Sequence, residues 1–128
     1  MIERSGYETN YAPLVEKHGL TVFPYWALAA GFLTGKYRSK DDLGKSVRGG
    51  GMKGYLNDKA LGILKVLDAV AAKHNSTPAT VSLSWLLHQP NIGAPIVSAT
   101  SLSQLQTIVS APTLKLDNED LTELEQVS

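Results

Sequence analysis

The stretch Leu20 to Lys36, LTVFPYWALAAGFLTGK, decides how the chain is read. Its first six residues are short, apolar, β-branched and aromatic, which predicts a strand over Leu20 to Tyr25. Pro24 has no backbone N–H, so the strand leaves its sheet where Tyr25 is presented. Upstream, Tyr11 to His18 has helical character and stops at Gly19, a residue suited to the left-handed position after a helix. Downstream, Trp26 to Tyr55 is rich in small residues and contains the run Gly49 to Gly51. That predicts a connection longer than a compact domain keeps without a function.

A second decisive segment lies near the other end. Ala94 to Val97 reads as a brief apolar strand, and Ser101-Leu102-Ser103-Gln104 follows as a capping box, in which serine and glutamine satisfy each other's orphan amides. Between the two strands, Asn57 caps a predicted helix to about Lys73 with Ala60, Ile63, Leu64, Leu67 and Ala71 on one face. Asn75 ends it. Thr77-Pro78 starts the next helix, which runs through Val81 and Trp85 toward Pro90. Leu102, Leu105, Ile108 and Val109 predict a buried stripe on the helix after the box, and Asp117 or Asn118 caps a last helix with Leu121, Leu124 and Val127 inward. Strands alternating with helices predict an α/β architecture with two parallel-type strands, several helices and unpaired sheet edges. Two strands cannot close a barrel, so residues 1–128 read as a single incomplete domain.

Composition narrows the function. Lys and Arg total 12, as do Asp and Glu, so nothing marks a nucleic-acid footprint. Cysteine is absent, which removes disulfides and thiolate nucleophiles. The first residues have neither a basic nor an apolar leader region, and no apolar run approaches the ~20 residues of a membrane span, so the expected location is cytoplasmic.

Two segments could carry chemistry. Ser98 to Ser101 lies between a strand and a helix start, where amides, hydroxyls and the helix dipole favour an anion; the same residues also serve any well-capped helix. Tyr25 to Lys36 offers an aromatic face, small residues that permit close backbone approach, and a cation, or else a packed loop with a solvated lysine. Arg48 beside its glycines is a mobile clamp or a plain surface arginine. His18, His74 and His88 fall at predicted helix ends and receive no role; no metal set and no nucleophile template is found.

Together, VFPYWALAAGFLTGKYR, then SVRGG, then API-VSATSLSQL resemble the aldo-keto reductases, in which a seventh barrel strand ends in Y-S-P-L-x-x-G-x-L-x-G-K and an eighth in I-P-G-A-S-x-x-x-Q. IERSGYE and TPATVSLSWLLHQP resemble flanking segments of the same enzymes. The resemblance covers the whole chain and implies the C-terminal fragment of a (β/α)8 barrel, from after the sixth strand, with NADP (NADPH) as cofactor. On it, Tyr25 matches the aromatic residue stacked on the nicotinamide, and Trp26, Ala27, Leu28, Ala29 and Ala30 match the loop along the pyrophosphate. Lys36 and Arg48 match cationic contacts, and Ser98, Thr100 and Gln104 match the region at the adenosine 2′-phosphate and adenine. Thr107 and Ile108 stand where many members have Glu-Asn. The family's catalytic Asp, Tyr, Lys and His come from the first four strands, so the resemblance implies no catalytic residue here and an inactive fragment. A carbonyl substrate belongs only to the intact enzyme. The alternatives are a non-catalytic nucleotide-binding module and an interaction module that assembles with itself through exposed edges.

Overall fold

A computed structural model describes residues 1–128. Six α-helices carry the regular structure: α1 (Ser5–Asn10), α2 (Ala12–Lys17), α3 (Asp58–Lys73), α4 (Pro78–Leu87), α5 (Leu102–Val109) and α6 (Asn118–Gln126). Four 3-10 segments occupy Ala29–Thr34, Lys40–Lys45, Gly49–Tyr55 and Ala111–Thr113. The chain is mostly helical and contains no β-strand, which overturns the expected α/β class with two strands.

The reason lies in two prolines. Residues 20–25 and 91–97 do run side by side and parallel, but only Val22 and Ile92 form a bridge. Val22 N donates to Asn91 O at 2.8 Å and Gly93 N to Val22 O at 2.9 Å. The next ladder position on that side is Pro95, which has no N–H, and the bond to Pro24 O comes from Ile96 at 2.8 Å instead. The slip of one residue stops the ladder after a single bridge.

The helices follow their sequence signals more closely. Asn57 Oδ1 accepts from Ala60 N at 3.0 Å and opens α3, and Ala60, Ile63, Leu64, Leu67 and Ala71 are buried along one face. The chain leaves α3 through Asn75 at φ 48°, and Thr77 caps α4 through Thr80 N at 3.2 Å. α4 stops at Leu87, short of Pro90, with Val81 and Trp85 in the core. Asp117, not Asn118, caps α6, which buries Leu124 fully and Leu121 and Val127 partly. Each fully buried apolar side chain contributes roughly 1.5–3 kcal/mol, so α3, α4 and α6 form the stable centre.

The helix expected over Tyr11 to His18 is α2, and α1 adds a short helix upstream of it. Arg4 ties this end down: its guanidinium lies 5.3 Å from the centroid of a Trp85 ring and donates to Glu125 at 2.6 Å and to Glu8. The region from Trp26 to Tyr55 is not a free connection. Phe32, Leu33, Tyr37 and Met52 are buried in the core, and the Phe32 and Tyr55 rings lie 5.3 Å apart. Gly49 is required there, because a Cβ would stand 1.8 Å from Leu43 O.

The stripe expected to bury α5 is overturned. No residue of α5 is buried, and Leu102, Leu105 and Val109 face solvent, because α5 meets α4 and the Ala111–Thr113 turn by its other side. No helix is long and apolar enough to cross a membrane.

Candidate functional site

Parallel pairing places the C-terminal ends of residues 20–25 and 91–97 at the same end of the molecule. The bond from Ile96 N to Pro24 O sets Tyr25-Trp26 beside Val97-Ser98 as both segments depart. Two stretches separated by some seventy residues of sequence thereby converge.

Tyr25 and Trp26 are both well exposed, and their rings meet edge to face at 5.8 Å. Ala27 and Leu28 are half-buried behind them. The backbone then enters the left-handed region three times in succession, at Ala29 (φ 47°), Ala30 (φ 53°) and Gly31 (φ 96°). Such a run is rare outside glycine and is strained by roughly 1–2 kcal/mol per alanine. It turns the chain so that Lys36 folds back over Gly31: a Cβ at Gly31 would lie 3.6 Å from Lys36 Nζ. Lys36 Nζ also sits 5.1 Å from the Tyr37 ring centroid and has no carboxylate within ion-pair distance. Lys36 thus lies over the turn that follows Tyr25 and Trp26, a turn in which Ala29 is itself buried.

The support behind this turn was not read from the sequence. Arg38 forms a two-point pair with Asp68 on α3, at 2.7 Å for each bond, and its Nε donates to Gly35 O. Asp42 accepts from the Arg38 and Ser39 amides and pairs with Lys45 at 2.6 Å. The Lys45 ammonium, joined by the two amides, holds the Asp42 carboxyl well below the usual carboxylate range. Tyr37 and Ser46 share a hydroxyl hydrogen bond, and Lys45 Nζ donates to Lys36 O at 3.3 Å. No periodic pattern announces these contacts, because they link residues within an irregular segment to a helix formed later in the chain. Arg48 follows two residues after Ser46, exposed and without an ion pair; nothing brings it into contact with Lys36.

At the second segment, Ser98, Thr100 and Gln104 are all exposed. Half of the capping box forms: Ser101 Oγ accepts from Gln104 N at 3.3 Å. The glutamine does not return to Ser101. Its Oε1 accepts from Thr100 N at 2.8 Å and from Thr100 Oγ1 at 3.1 Å, which leaves its amide NH2 directed away from the cap.

The histidines sit at the C-terminal caps of α2, α3 and α4, at the helix ends where the sequence put them. His88 Nδ1 contacts Ser84 O at 2.8 Å. His74 Nε2 lies 2.6 Å from Asp120 Oδ2, a partner the sequence did not reveal. A cleft of about 560 Å³ lies near it, lined by Asn75, Thr77, Thr80, Ser103 and Thr107 among others. Two of its hydroxyls are already engaged, Thr80 donating to Thr107 O and Thr107 to Ser103 O. It is separate from Tyr25 and Lys36.

Comparison with known proteins gives the family. The pattern described as "Aldo/keto reductase family" matches residues 3–128. A Schizosaccharomyces pombe protein named "Putative aryl-alcohol dehydrogenase" is 32% identical over 126 residues, covering 93% of this chain and 36% of that protein. Aldo-keto reductase str7 of Strobilurus tenacellus is 29% identical over 86% of this chain and 34% of its own length. Aldo-keto reductase yakc [NADP(+)] of Schizosaccharomyces pombe is 28% identical over 86% of this chain and 33% of its own. The chain spans about a third of the length of these relatives. With residues 3–128 matched and the two glycine- and serine-rich stretches brought to one end, the chain belongs to the aldo/keto reductase family.

Proposed function

We propose that residues 1–128 are the NADP-binding, C-terminal portion of a cytoplasmic aldo-keto reductase, and that they lack catalytic activity by themselves. The observation that supports this most is the convergence of Tyr25–Lys36 with Ser98–Gln104 at one end of the paired extended segments. The residues fit the cofactor chemically. An exposed aromatic ring at Tyr25 offers a stacking face, the left-handed turn at Ala29–Gly31 lets backbone approach closely, and Lys36 is a cation with no carboxylate to compete for it. Ser98 and Thr100 bring hydroxyls to the start of α5, where an anion is favoured, and Gln104 turns its amide outward.

In this reading NADPH, when bound, supplies the hydride for carbonyl reduction in the intact enzyme. The chain's own part is to orient: Trp26 to Ala30 line the pyrophosphate, Lys36 and Arg48 neutralise phosphate charge, and Ser98, Thr100 and Gln104 hold the adenosine end. The name of the yakc relative, which carries NADP(+), agrees with this choice of nucleotide.

Trp26 fluorescence tests it. NADPH and 2′,5′-ADP are expected to bind about equally and weakly, because the phosphate end forms locally while stacking on Tyr25 needs further walls. Lys36→Met should weaken both by about tenfold and flatten their salt dependence. No binding of either nucleotide, or NADPH far tighter than 2′,5′-ADP, would overturn the proposal.

A further inference from the structure

Lys36 stands in an irregular segment, and no backbone N–H donates to Gly35 O or Lys36 O, the carbonyls of the two peptide groups that flank its Cα. Side-chain cations hold both instead. Arg38 Nε donates to Gly35 O at 2.7 Å, and Lys45 Nζ to Lys36 O at 3.3 Å. Each cation is anchored in turn by a carboxylate: Lys45 by Asp42 at 2.6 Å, and Arg38 by both oxygens of Asp68 at 2.7 Å. Asp42 closes the circuit by accepting from the Arg38 and Ser39 amides at 2.7 and 2.9 Å.

Asp68 alone in this circuit belongs to an α-helix. It follows Leu67 on α3, a residue fully buried in the core, and so joins the segment to the stable centre of the molecule. The fit at the other end is close. Gly35 has φ 79°, and a Cβ there would stand 2.5 Å from Arg38 Nη2, so the guanidinium lies directly against the glycine. The circuit leaves the Lys36 ammonium itself free: its two carboxylates pair with Arg38 and Lys45, and none pairs with Lys36. The ammonium is thus placed through its backbone and stays available to an anion.

We propose that Asp68 and Arg38 are positioning residues for Lys36, holding the root of its side chain where the ammonium meets a phosphate of the nucleotide. The assignment rests on the cofactor reading given above. With side chains 46% and 40% exposed, the Asp68–Arg38 pair adds little to global stability. Its effect is local: a contact fixed in advance spares binding the ordering of one long side chain, which is worth about two- to tenfold in affinity. Charge separates this role from plain electrostatics. Asp68→Asn removes a negative charge from the neighbourhood of Lys36, so the field alone would strengthen the binding of an anion. Positioning requires the opposite sign.

Nitrogen NMR relaxation and NADPH titration followed by Trp26 fluorescence test it together. The Lys36 amide belongs to the same peptide group as Gly35 O, so in Asp68→Asn its order parameter should fall from about 0.85 to below about 0.6. Arg38→Lys keeps the charge but has neither the fork nor Nε. It and Asp68→Asn should each weaken NADPH by about three- to tenfold. Their Tm should stay within about 4 °C of the unmodified chain. In the Lys36→Met background Asp68→Asn should weaken NADPH no further, because the group it positions is gone. While NADPH still bound the unmodified chain, an unchanged order parameter, equal or tighter binding by Asp68→Asn, or the same loss in the Lys36→Met background would each overturn the assignment alone. A far larger fall in Tm would do so too, by tracing the loss to general destabilisation. If the unmodified chain bound no nucleotide, the cofactor reading would fall and the assignment with it.

Discussion

Ala29 and Ala30 hold a backbone that glycine would adopt freely, at φ 47° and 53°. Alanine at such a position costs roughly 1–2 kcal/mol in strain, while glycine would cost part of that back in unfolded-chain entropy. Ala30→Gly is therefore expected to raise stability by about 0.5–1 kcal/mol in denaturant unfolding. An unchanged or lower midpoint would mean that the turn is not strained. The strain coincides with the one place where Lys36 folds back over the chain, which is how preorganised sites are commonly built. Composition marked this stretch as small-residue backbone, but it could not show that alanines, rather than Gly31 alone, would carry the left-handed conformation.

At the scale of elements, α6 and its cap are fastened to the end of α3 by carboxylates, with Asp120 at the centre. Asp120 is almost fully buried and accepts from Lys73 Nζ at 2.8 Å and meets His74 Nε2 at 2.6 Å, while exchanging cap bonds with Asp117. Burial pushes its pKa up, but Lys73, the Asp117 amide and His74 together outweigh that and lower it. Lys73, first, and the Asp120 amide bring Asp117 down to about 2. Both folded values lie below the ordinary 3.8, so this stabilisation is complete above that pH and is lost as pH falls from about 4 toward 2. Lys73→Met should accordingly reduce the dependence of Tm on pH between 2 and 4, and a slope equal to that of the unmodified chain would refute the account. Asp120→Ala should cost about 2–3 kcal/mol at neutral pH, through the lost bonds of a buried group. The capping of α6 was legible in the sequence; its clasp was not, because α4, α5 and the Ala111–Thr113 turn separate Lys73 from Asp120 along the chain.

For the whole molecule, the chain matches the family throughout yet spans about a third of its relatives. If residues 1–128 are, as we propose, the portion without the family's catalytic set, purified protein is expected to show no NADPH-dependent reduction of a test aldehyde. Acid-base catalysis alone is worth roughly 10²- to 10⁴-fold, and substrate orientation is lost with it. Steady turnover by pure protein would contradict this.

What the sequence determined by itself is local: the caps at Asn57, Thr77, Ser101 and Asp117, the buried face of α3, and the motifs at Tyr25–Lys36 and Ser98–Gln104 that identify the family. These depend on neighbours within a turn or two, or on residue order, and both are written in the chain. The strands and the buried stripe of α5 did not follow, although their residues have the right character. A strand exists only when a partner continues its ladder, and Pro95 breaks the one partner available. A stripe is buried only when something covers it, and nothing in this chain covers Leu102, Leu105 and Val109. Tertiary structure alone decided those, because pairing and burial belong to two surfaces and the sequence of one segment describes only its own.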